Sequence, residues 1–393
     1  MAIQRYFPFS VLSAAISAAL VGFAGSVALI LEAARTVGAD EVQATSWVVA
    51  LCLGIALTSL FLSWHQRMPI VTAWSTPGAA VIAATGAGVA LAEAIGAFLL
   101  AALLVLATGL IGPFARLMER IPKALAAAML AGILLRFCLE VVGAVALLPL
   151  LVLPLVLAFF AVQLWSASLT VPLVLGLGIA LAASGGLIDP SCCAVTLSTV
   201  TVTSPRFDLA AALGLTLPLY VVTMASQNLA GLAVLKADGF SPSARTCLGA
   251  TGIASLLAAP FGGHGVCLAA ITASICTGPG CHPEPSRRWL SGIPYALAYL
   301  IFAAFAETLV ELLLALPAAL ITTFVGLALF GPMVGSLKAA LAGNATTTKA
   351  AVVTFLVAAS DLTMVGIGAP LWSLAAGLLL LALPRLRRAG AAS

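Results

Sequence analysis

The chain has 393 residues, of which 63% are hydrophobic and only 8% are charged, with a mean hydropathy of +1.20. A soluble domain carries far more charge, so this composition excludes that class and indicates an all-α polytopic membrane protein. The formal net charge of +4 is scattered over many short loops, which excludes a nucleic-acid-binding surface.

Apolar segments of about 20 residues, the length that a helix needs to cross a bilayer, recur along the whole chain. The first is too long to be the apolar part of a cleaved signal peptide. These segments predict fourteen spans, approximately at 8–31, 45–63, 70–89, 91–112, 121–139, 142–162, 170–188, 208–235, 243–259, 262–277, 290–314, 317–335, 348–362 and 367–384. With both termini inside, only three of the seventeen Lys and Arg residues fall outside, namely Arg35, Arg136 and Arg206. Basic residues concentrate on the cytoplasmic side, so this distribution predicts cytoplasmic termini.

Span 3 is predicted to begin as an extended segment and to continue as a half-helix. Residues Ile70 to Trp74 favour extended backbone, Thr76 suits a helix N-cap, and Pro77 suits the first helical position. Only about 12 residues then remain to Gly88, roughly half a bilayer, so this helix should begin near the membrane midplane. Its free N–H groups and positive dipole end would attract an anion. A proline kink in an ordinary span is the alternative.

Span 8 carries Ser226-Gln227-Asn228 within an otherwise apolar stretch. Adjacent carboxamides in hydrocarbon need partners, and because they both donate and accept, they suit a ligand that bears a carboxylate or an amide. Gly25 and Ser26 are their counterparts in span 1, where a glycine leaves room for a flat ligand. Hydrogen bonding between helices is the alternative.

Span 10 begins with Gly262-Gly263-His264-Gly265, in which three glycines allow the backbone to approach a ligand closely. We expect His264 to lie at the N-terminus of a second half-helix, facing the first, because a histidine inside a membrane usually faces a cavity. The alternative is a packed histidine that is hydrogen-bonded to a backbone carbonyl.

Short matches at a constant separation indicate two repeats. Residues 52–54 match 247–249, and residues 121–125 match 316–320, both at an offset of 195 residues. Each repeat would then hold seven spans, and an odd number means that the second repeat enters the membrane from the opposite side. Inverted repeats with broken helices at corresponding positions, here spans 3 and 10, are typical of secondary transporters that alternate access to a midplane site.

Metal sites and intramembrane enzymes find little support in the sequence. Cys276, Cys281 and His282 lack a second pair of zinc ligands, so no metal or cofactor is predicted. Neither an HExxH motif nor paired carboxylates occur within the spans, so an enzyme is not predicted. The central positions carry no carboxylate, which disfavours a cation as substrate and is compatible with an anion.

The run from Arg67 to Ala80 (RMPIVTAWSTPGAA) resembles the signature of the bacterial benzoate–proton symporters. The resemblance covers essentially the whole chain, including the Ser-Gln-Asn and Gly-Gly-His-Gly stretches. That family is similar in fold to the nucleobase–ascorbate transporters, which implies a core domain of spans 1–4 and 8–11 and a gate domain of spans 5–7 and 12–14. The implied core comprises residues 1–115, 191–289 and 290–315, and the implied gate comprises residues 116–190 and 316–393. The resemblance also implies the bacterial cytoplasmic (inner) membrane.

In the nucleobase relatives, acidic residues in spans 8 and 10 bind substrate and serve proton coupling. Gln227 and His264 stand at the matching positions of this chain, so the acidic proton carrier is replaced and His264 becomes the candidate for proton coupling. Phe330 in span 12 matches an aromatic gate residue that faces the site.

These observations predict a secondary transporter that imports benzoate, or a similar small aromatic carboxylate, with a proton by alternating access. Trp74 and Phe330 would form a flat apolar slot. A small-anion channel and a nucleobase-type transporter on the same fold remain alternatives, and assembly as a homodimer in the lipid bilayer is left open. The expected substrate-binding residues are Gly25, Ser26, Trp74, Ser75, Thr76, Pro77, Gly78, Gln227, Asn228, Gly263, His264, Gly265 and Phe330.

Overall fold

The structure is a computed structural model that describes residues 9–112, 122–165, 170–187, 195–270, 272–360, 362–364 and 367–390. The described chain is mostly helical. The helices are α1 (Phe9–Ala24), α2 (Val27–Thr36), α3 (Glu41–Gln66), α4 (Thr76–Thr85), α5 (Leu91–Leu110), α6 (Lys123–Leu147), α7 (Pro149–Gln163), α8 (Thr170–Ser184), α9 (Leu209–Ala237), α10 (Ala244–Ala258), α11 (Ala273–Thr277), α12 (Gly292–Ala304), α13 (Ala306–Leu314), α14 (Ala318–Leu341), α15 (Ala345–Ala359) and α16 (Ala369–Gly390). The strands are β1 (Thr72–Trp74), β2 (Val266–Leu268), β3 (Thr363–Met364) and β4 (Ile367–Gly368).

Among the described residues, six helices are long and apolar enough to cross a membrane. Five further apolar helices are shorter, so a count of fourteen spans stays a prediction. Residues 113–121 and 188–194, where two of the expected domain boundaries fall, lie outside the described residues. The six long helices are Phe9–Thr36, Glu41–Gln66, Leu91–Leu110, Lys123–Leu147, Leu209–Ala237 and Ala318–Leu341.

Two spans expected to be regular helices are irregular at matching places. Span 1 is divided into α1 and α2 at Gly25–Ser26, where a Cβ on Gly25 would lie only 2.7 Å from the Val21 carbonyl oxygen. The long helix α9 widens into π-helical segments at Ala212–Thr216 and Met224–Asn228. The second of these contains the sequence counterparts of Gly25 and Ser26. Wide turns of this kind often mark functional positions in helices.

The expectation of one continuous helix at 290–314 is wrong. The segment Pro285–Ala304 and the segment Ala306–Leu313 meet at an angle of 66°. The segment 195–207 satisfies backbone groups at this bend, because the Ser198 N–H donates to the Ala304 carbonyl (3.0 Å) and the Ser198 hydroxyl accepts from the Glu307 N–H (2.8 Å). A bend within a membrane requires such partners.

The helices pack in two sets. In one set, α6 packs along α14 and α15 and also contacts α16. In the other, α3 packs against α10 and α12, and α5 packs against α10. The sets meet where α6 contacts α4 and the π-helical part of α9, and where α14 contacts α2. The break of span 1 at Gly25–Ser26, the π-helical segment at Met224–Asn228 and the β1–β2 pair therefore lie beside this junction.

Candidate functional site

The centre of the fold is a short antiparallel pair of strands, β1 and β2. Thr72 lies opposite Leu268, and Trp74 lies opposite Val266. The Ser75 N–H extends the pairing by donating to the Gly265 carbonyl at 3.1 Å. Extended backbone at membrane depth must find such partners. The strand expected in span 3 is present, and span 10 contains a strand as well.

Hydroxyl side chains on two long helices hold these strands in the same way. Ser59 of α3 accepts from the Thr72 N–H at 2.9 Å, and Ser255 of α10 accepts from the Val266 N–H at 2.8 Å. Tyr295 of α12 donates to the Thr72 carbonyl at 2.8 Å. The sequence analysis did not single out these three hydroxyls. A polar residue inside an apolar span is the signal that could have identified them.

The N-cap of α4 is Ser75, which corrects the expectation that Thr76 has this role. The Ser75 hydroxyl accepts from the Gly78 N–H (3.1 Å) and shares a hydrogen bond with the Thr223 hydroxyl of α9 (2.6 Å). Because the extended segment ends at Trp74, Ser75 is the residue with non-helical dihedral angles, and Thr76 and Pro77 occupy the first turn.

Thr76 is half-buried, and neither its N–H nor its hydroxyl has a partner within the described part of the chain. It therefore offers two donors at the positive end of the helix.

Gly78 belongs to the packing of α4 rather than to an open surface. A Cβ on this residue would lie 2.4 Å from a methyl carbon of Leu219 in α9. The glycine lets the two helices approach closely enough for the Ser75–Thr223 contact to form. Pro77 is buried beside it.

His264 is braced between two elements. The Trp47 indole N–H of α3 donates to Nδ1 at 3.0 Å, and Nε2 lies 2.9 Å from the Ser75 carbonyl oxygen. An indole N–H can only donate, so Nδ1 accepts, the ring proton is on Nε2, and the imidazole is neutral. This arrangement matches the alternative given in the sequence analysis, a packed histidine that is hydrogen-bonded to a backbone carbonyl.

The expectation that His264 begins the second half-helix is wrong. The half-helix α11 begins only at Ala273, because the chain first extends through β2 to pair with β1. Gly262 adopts a φ of +98°, which turns the chain out of α10 and into this extended stretch. A Cβ on Gly263 would lie 2.6 Å from the Ala258 Cβ, so that glycine serves close packing.

The rings of Trp74 and Phe330 do not share a slot in this conformation. Trp74 is 1% exposed, donates to the Ser26 hydroxyl at 2.5 Å, and packs its ring against Phe23 and Tyr299. Phe330 packs instead against two rings of α7, with centroid distances of 6.4 Å to Phe159 and 5.5 Å to Phe160. Trp74 thus connects the break of span 1 to β1 inside the protein.

Gln227 and Asn228 have different environments. Asn228 is fully buried, and its Oδ1 accepts from the Leu268 N–H at 2.9 Å, so it fastens α9 to β2. Gln227 is half-buried, and its carboxamide has no partner in the part of the chain that the structure describes. Gln227 follows Thr223 by about one helical turn, and Thr223 touches the residue that caps α4. The Gln227 carboxamide and the Thr76 donors therefore lie on two elements that the Ser75–Thr223 contact joins, and half-buried Gly25 lies at the break of span 1, which the Trp74–Ser26 hydrogen bond joins to β1.

This region suits an anion. It offers uncharged donors from Thr76 and Gln227 and the N-terminal end of a half-helix, and α6 packs against both elements. Within the described ranges, no group of three His, Cys, Asp or Glu residues could hold a metal. Cys276 and Cys281 are free thiols, and His282 accepts from the Glu284 N–H through Nδ1.

The chain is similar to known proteins along nearly its whole length. The family described as BenE, Benzoate membrane transport protein, matches residues 5–383. Inner membrane protein YdcO of Escherichia coli is 40% identical over 370 residues, which make up 94% of each protein. The benzoate membrane transport protein of Acinetobacter baylyi is 32% identical over 362 residues, or 92% of each protein.

Solved structures share the fold at low identity. The structure of SLC26A9 has a TM-score of 0.66 at 13% identity, and the match covers 97% of this chain and 66% of that one. The transmembrane domain of a cyanobacterium bicarbonate transporter, BicA, has a TM-score of 0.62 at 16% identity, covering 89% of this chain and 96% of that one. These likenesses concern the fold alone.

Proposed function

The chain belongs to the family of benzoate membrane transport proteins, and we propose that it imports benzoate or a similar aromatic carboxylate together with a proton. Family membership makes it a membrane transport protein and not an enzyme. The E. coli relative is described as an inner membrane protein, and this supports the same location for this chain. The distribution of basic residues supports cytoplasmic termini.

The observation that carries the proposal is that Thr76 at the start of α4 and Gln227 on the adjacent α9 have no hydrogen-bond partner within the described part of the chain. Thr76 offers its N–H and hydroxyl, and Gln227 offers its amide N–H groups. A benzoate carboxylate placed there would accept hydrogen bonds from both residues and interact favourably with the helix end. Hydrogen bonds to a charged group contribute roughly 1.5–3 kcal/mol each, so two of them can select a carboxylate.

The remaining expected site residues surround this point in distinct ways. Gly25 leaves space at the break of span 1, while Ser26, Trp74, Ser75, Gly78 and Asn228 hold the backbone of the site through the contacts given above. Pro77 lies in the first turn of α4, Gly263 allows close packing against Ala258, and the Gly265 carbonyl accepts from the Ser75 N–H. Phe330 would approach the substrate only when α14 moves relative to the strand pair.

Alternating access would come from relative movement of the two helix sets. We assign α6–α8 and α14–α16 to a gate domain and the other helices to a core domain, within fourteen spans arranged as two inverted repeats. The packing of α6 against α14 supports the gate, and the strand pair between α3 and α10 supports a rigid core. His264 is the proposed proton carrier, since an imidazole is the only central side chain whose ordinary pKa lies near neutral pH.

Uptake of labelled benzoate into proteoliposomes, with and without an imposed pH gradient, tests the proposal. Benzoic acid crosses lipid in its neutral form, so protein-free vesicles set the baseline, and Gln227→Ala should need a higher benzoate concentration for half-maximal uptake. We expect saturable uptake above this baseline that a pH gradient increases. Saturable uptake without a response to the gradient would refute proton coupling, and non-saturable flux would favour a small-anion channel.

A further inference from the structure

We propose that Trp47 is a positioning residue that, together with the Ser75 carbonyl, holds the tautomer of His264 and makes proton uptake by that ring depend on displacement of the indole. The proposal rests on the proposed function for the role of the proton. Its structural half, the tautomer, stands on the contacts of His264 with Trp47 and with the Ser75 carbonyl alone.

Both ring nitrogens of His264 are engaged in this conformation. Nε2–H donates to the Ser75 carbonyl at 2.9 Å, and Nδ1 accepts from the Trp47 indole at 3.0 Å. The only lone pair that could accept a proton is the one on Nδ1, and it points at an N–H group that cannot become an acceptor. A proton added to Nδ1 would therefore face another donor, and the Trp47–His264 hydrogen bond would be lost.

The fold holds Trp47 firmly in place. Its side chain is fully buried and its ring lies 5.2 Å from the ring of Phe98. The neighbouring Ser46 hydroxyl contacts the carbonyls of Thr201 (3.0 Å) and Phe261 (3.1 Å). Displacement of the indole would therefore disturb the packing of α3 against the 195–207 segment and the turn before β2. This links the protonation state of His264 to helix position.

Within the described part of the chain, no ionisable group hydrogen-bonds to, pairs with or stacks on the His264 ring. The elements next to it present Trp47 from α3, the Ser75 carbonyl from the start of α4 and Phe98 from α5. The carboxylates of these helices lie at their ends, with Glu41 at the start of α3 and Glu93 in the first turn of α5. Glu93 pairs with Arg206 at 3.7 Å. The indole is thus the group that governs Nδ1.

The hydrogen bond from Nε2–H to the Ser75 carbonyl gives His264 a role at the proposed substrate site. The Ser75 carbonyl that accepts from Nε2–H also accepts from the Ala79 N–H in the first turn of α4 at 2.8 Å. The position of the imidazole is therefore transmitted to the helix start that offers the Thr76 donors. The protonated ring would donate from both nitrogens, so the Ser75 contact can persist while the Trp47 contact cannot.

The test compares wild type with Trp47→Phe, which keeps an aromatic ring and removes the N–H donor. Trp64→Phe is the matched control, because Trp64 lies on the same helix and is 61% exposed. Nitrogen-15 NMR of histidine-labelled protein reports the tautomer, and His264→Gln assigns the signal among the three histidines. We expect wild type and Trp64→Phe to show protonated Nε2 and unprotonated Nδ1 at neutral pH.

Loss of the donor removes a stabilisation of the neutral ring, so in Trp47→Phe the protonated form should appear at higher pH. The midpoint of the pH profile of benzoate uptake should move upward by roughly half to one pH unit, the equivalent of one hydrogen bond. A wild-type signal with the proton on Nδ1 would overturn the proposal even if Trp47→Phe failed to fold. An unchanged midpoint in folded Trp47→Phe would also overturn it. If wild-type uptake ignores pH while the tautomer is as expected, the proton role of His264 fails and only its tautomer, held by Trp47 and the Ser75 carbonyl, stands.

Discussion

Replacement of Gln227 and of Asn228 by alanine should give opposite results, although the two residues are adjacent. The Gln227 carboxamide has no partner in the described part of the chain, so Gln227→Ala leaves no group unsatisfied in the free protein. It removes one hydrogen bond to a bound carboxylate, worth roughly 1.5–3 kcal/mol, which corresponds to about 10-fold to 150-fold weaker benzoate binding. The thermal unfolding temperature of the free protein should stay close to that of wild type.

Asn228→Ala removes the acceptor of the Leu268 N–H, which lies in a buried strand. An unsatisfied buried donor costs roughly 1–3 kcal/mol, so this variant should unfold at a lower temperature, and β2 should lose its hydrogen bond to α9. Binding would weaken only through the displaced strand.

The assay is calorimetric titration of benzoate into purified protein, with thermal unfolding of the free protein measured in parallel. Ser226→Ala is the matched control, because the Ser226 hydroxyl bonds to the Val222 carbonyl of its own helix at 2.5 Å. It should change neither quantity appreciably. Unchanged affinity in Gln227→Ala, or an equal loss of stability in both variants, would refute the distinction drawn between the two carboxamides.

Three further variants test other contacts. Ser75→Ala removes the N-cap of α4 and the partner of Thr223, so it should lower stability by about 1 kcal/mol or more and weaken benzoate binding; unchanged unfolding and affinity would contradict this. Arg288→Lys should lower the unfolding temperature, because the buried guanidinium donates to the carbonyls of Thr277 (2.7 Å) and His282 (2.8 Å) and a lysine cannot reproduce both bonds. An unfolding temperature equal to that of wild type would show that these two bonds contribute nothing to stability. His264→Gln should bind and exchange benzoate without responding to a pH gradient, since a carboxamide can hydrogen-bond to both Trp47 and Ser75 but does not titrate. Accumulation of benzoate by this variant in response to a pH gradient would exclude His264 as the proton carrier.

The sequence by itself determined the class of the protein and the place of its centre. The low charge and the recurring apolar segments left a helical membrane protein as the only class, because hydrocarbon excludes charge and requires backbone groups to pair within the chain. The Thr72–Pro77 stretch carried its own local signals, so the extended segment and the start of α4 were predictable to within one residue. The matching disturbance at Gly262–Gly265 located the second break. The resemblance to the benzoate–proton symporters named the family to which the chain belongs.

Only the tertiary structure decided what each central side chain does. Gln227 and Asn228 are equivalent as sequence, yet only Asn228 hydrogen-bonds to a strand that is distant in the chain. The Gln227 carboxamide stays available to a ligand. His264 was expected at a helix start, but pairing of β2 with β1 keeps the chain extended past it, and Trp47 occupies its second nitrogen. Local propensity reports which backbone a residue favours, whereas a hydrogen-bond partner depends on which distant segment arrives beside it, and that is set by packing.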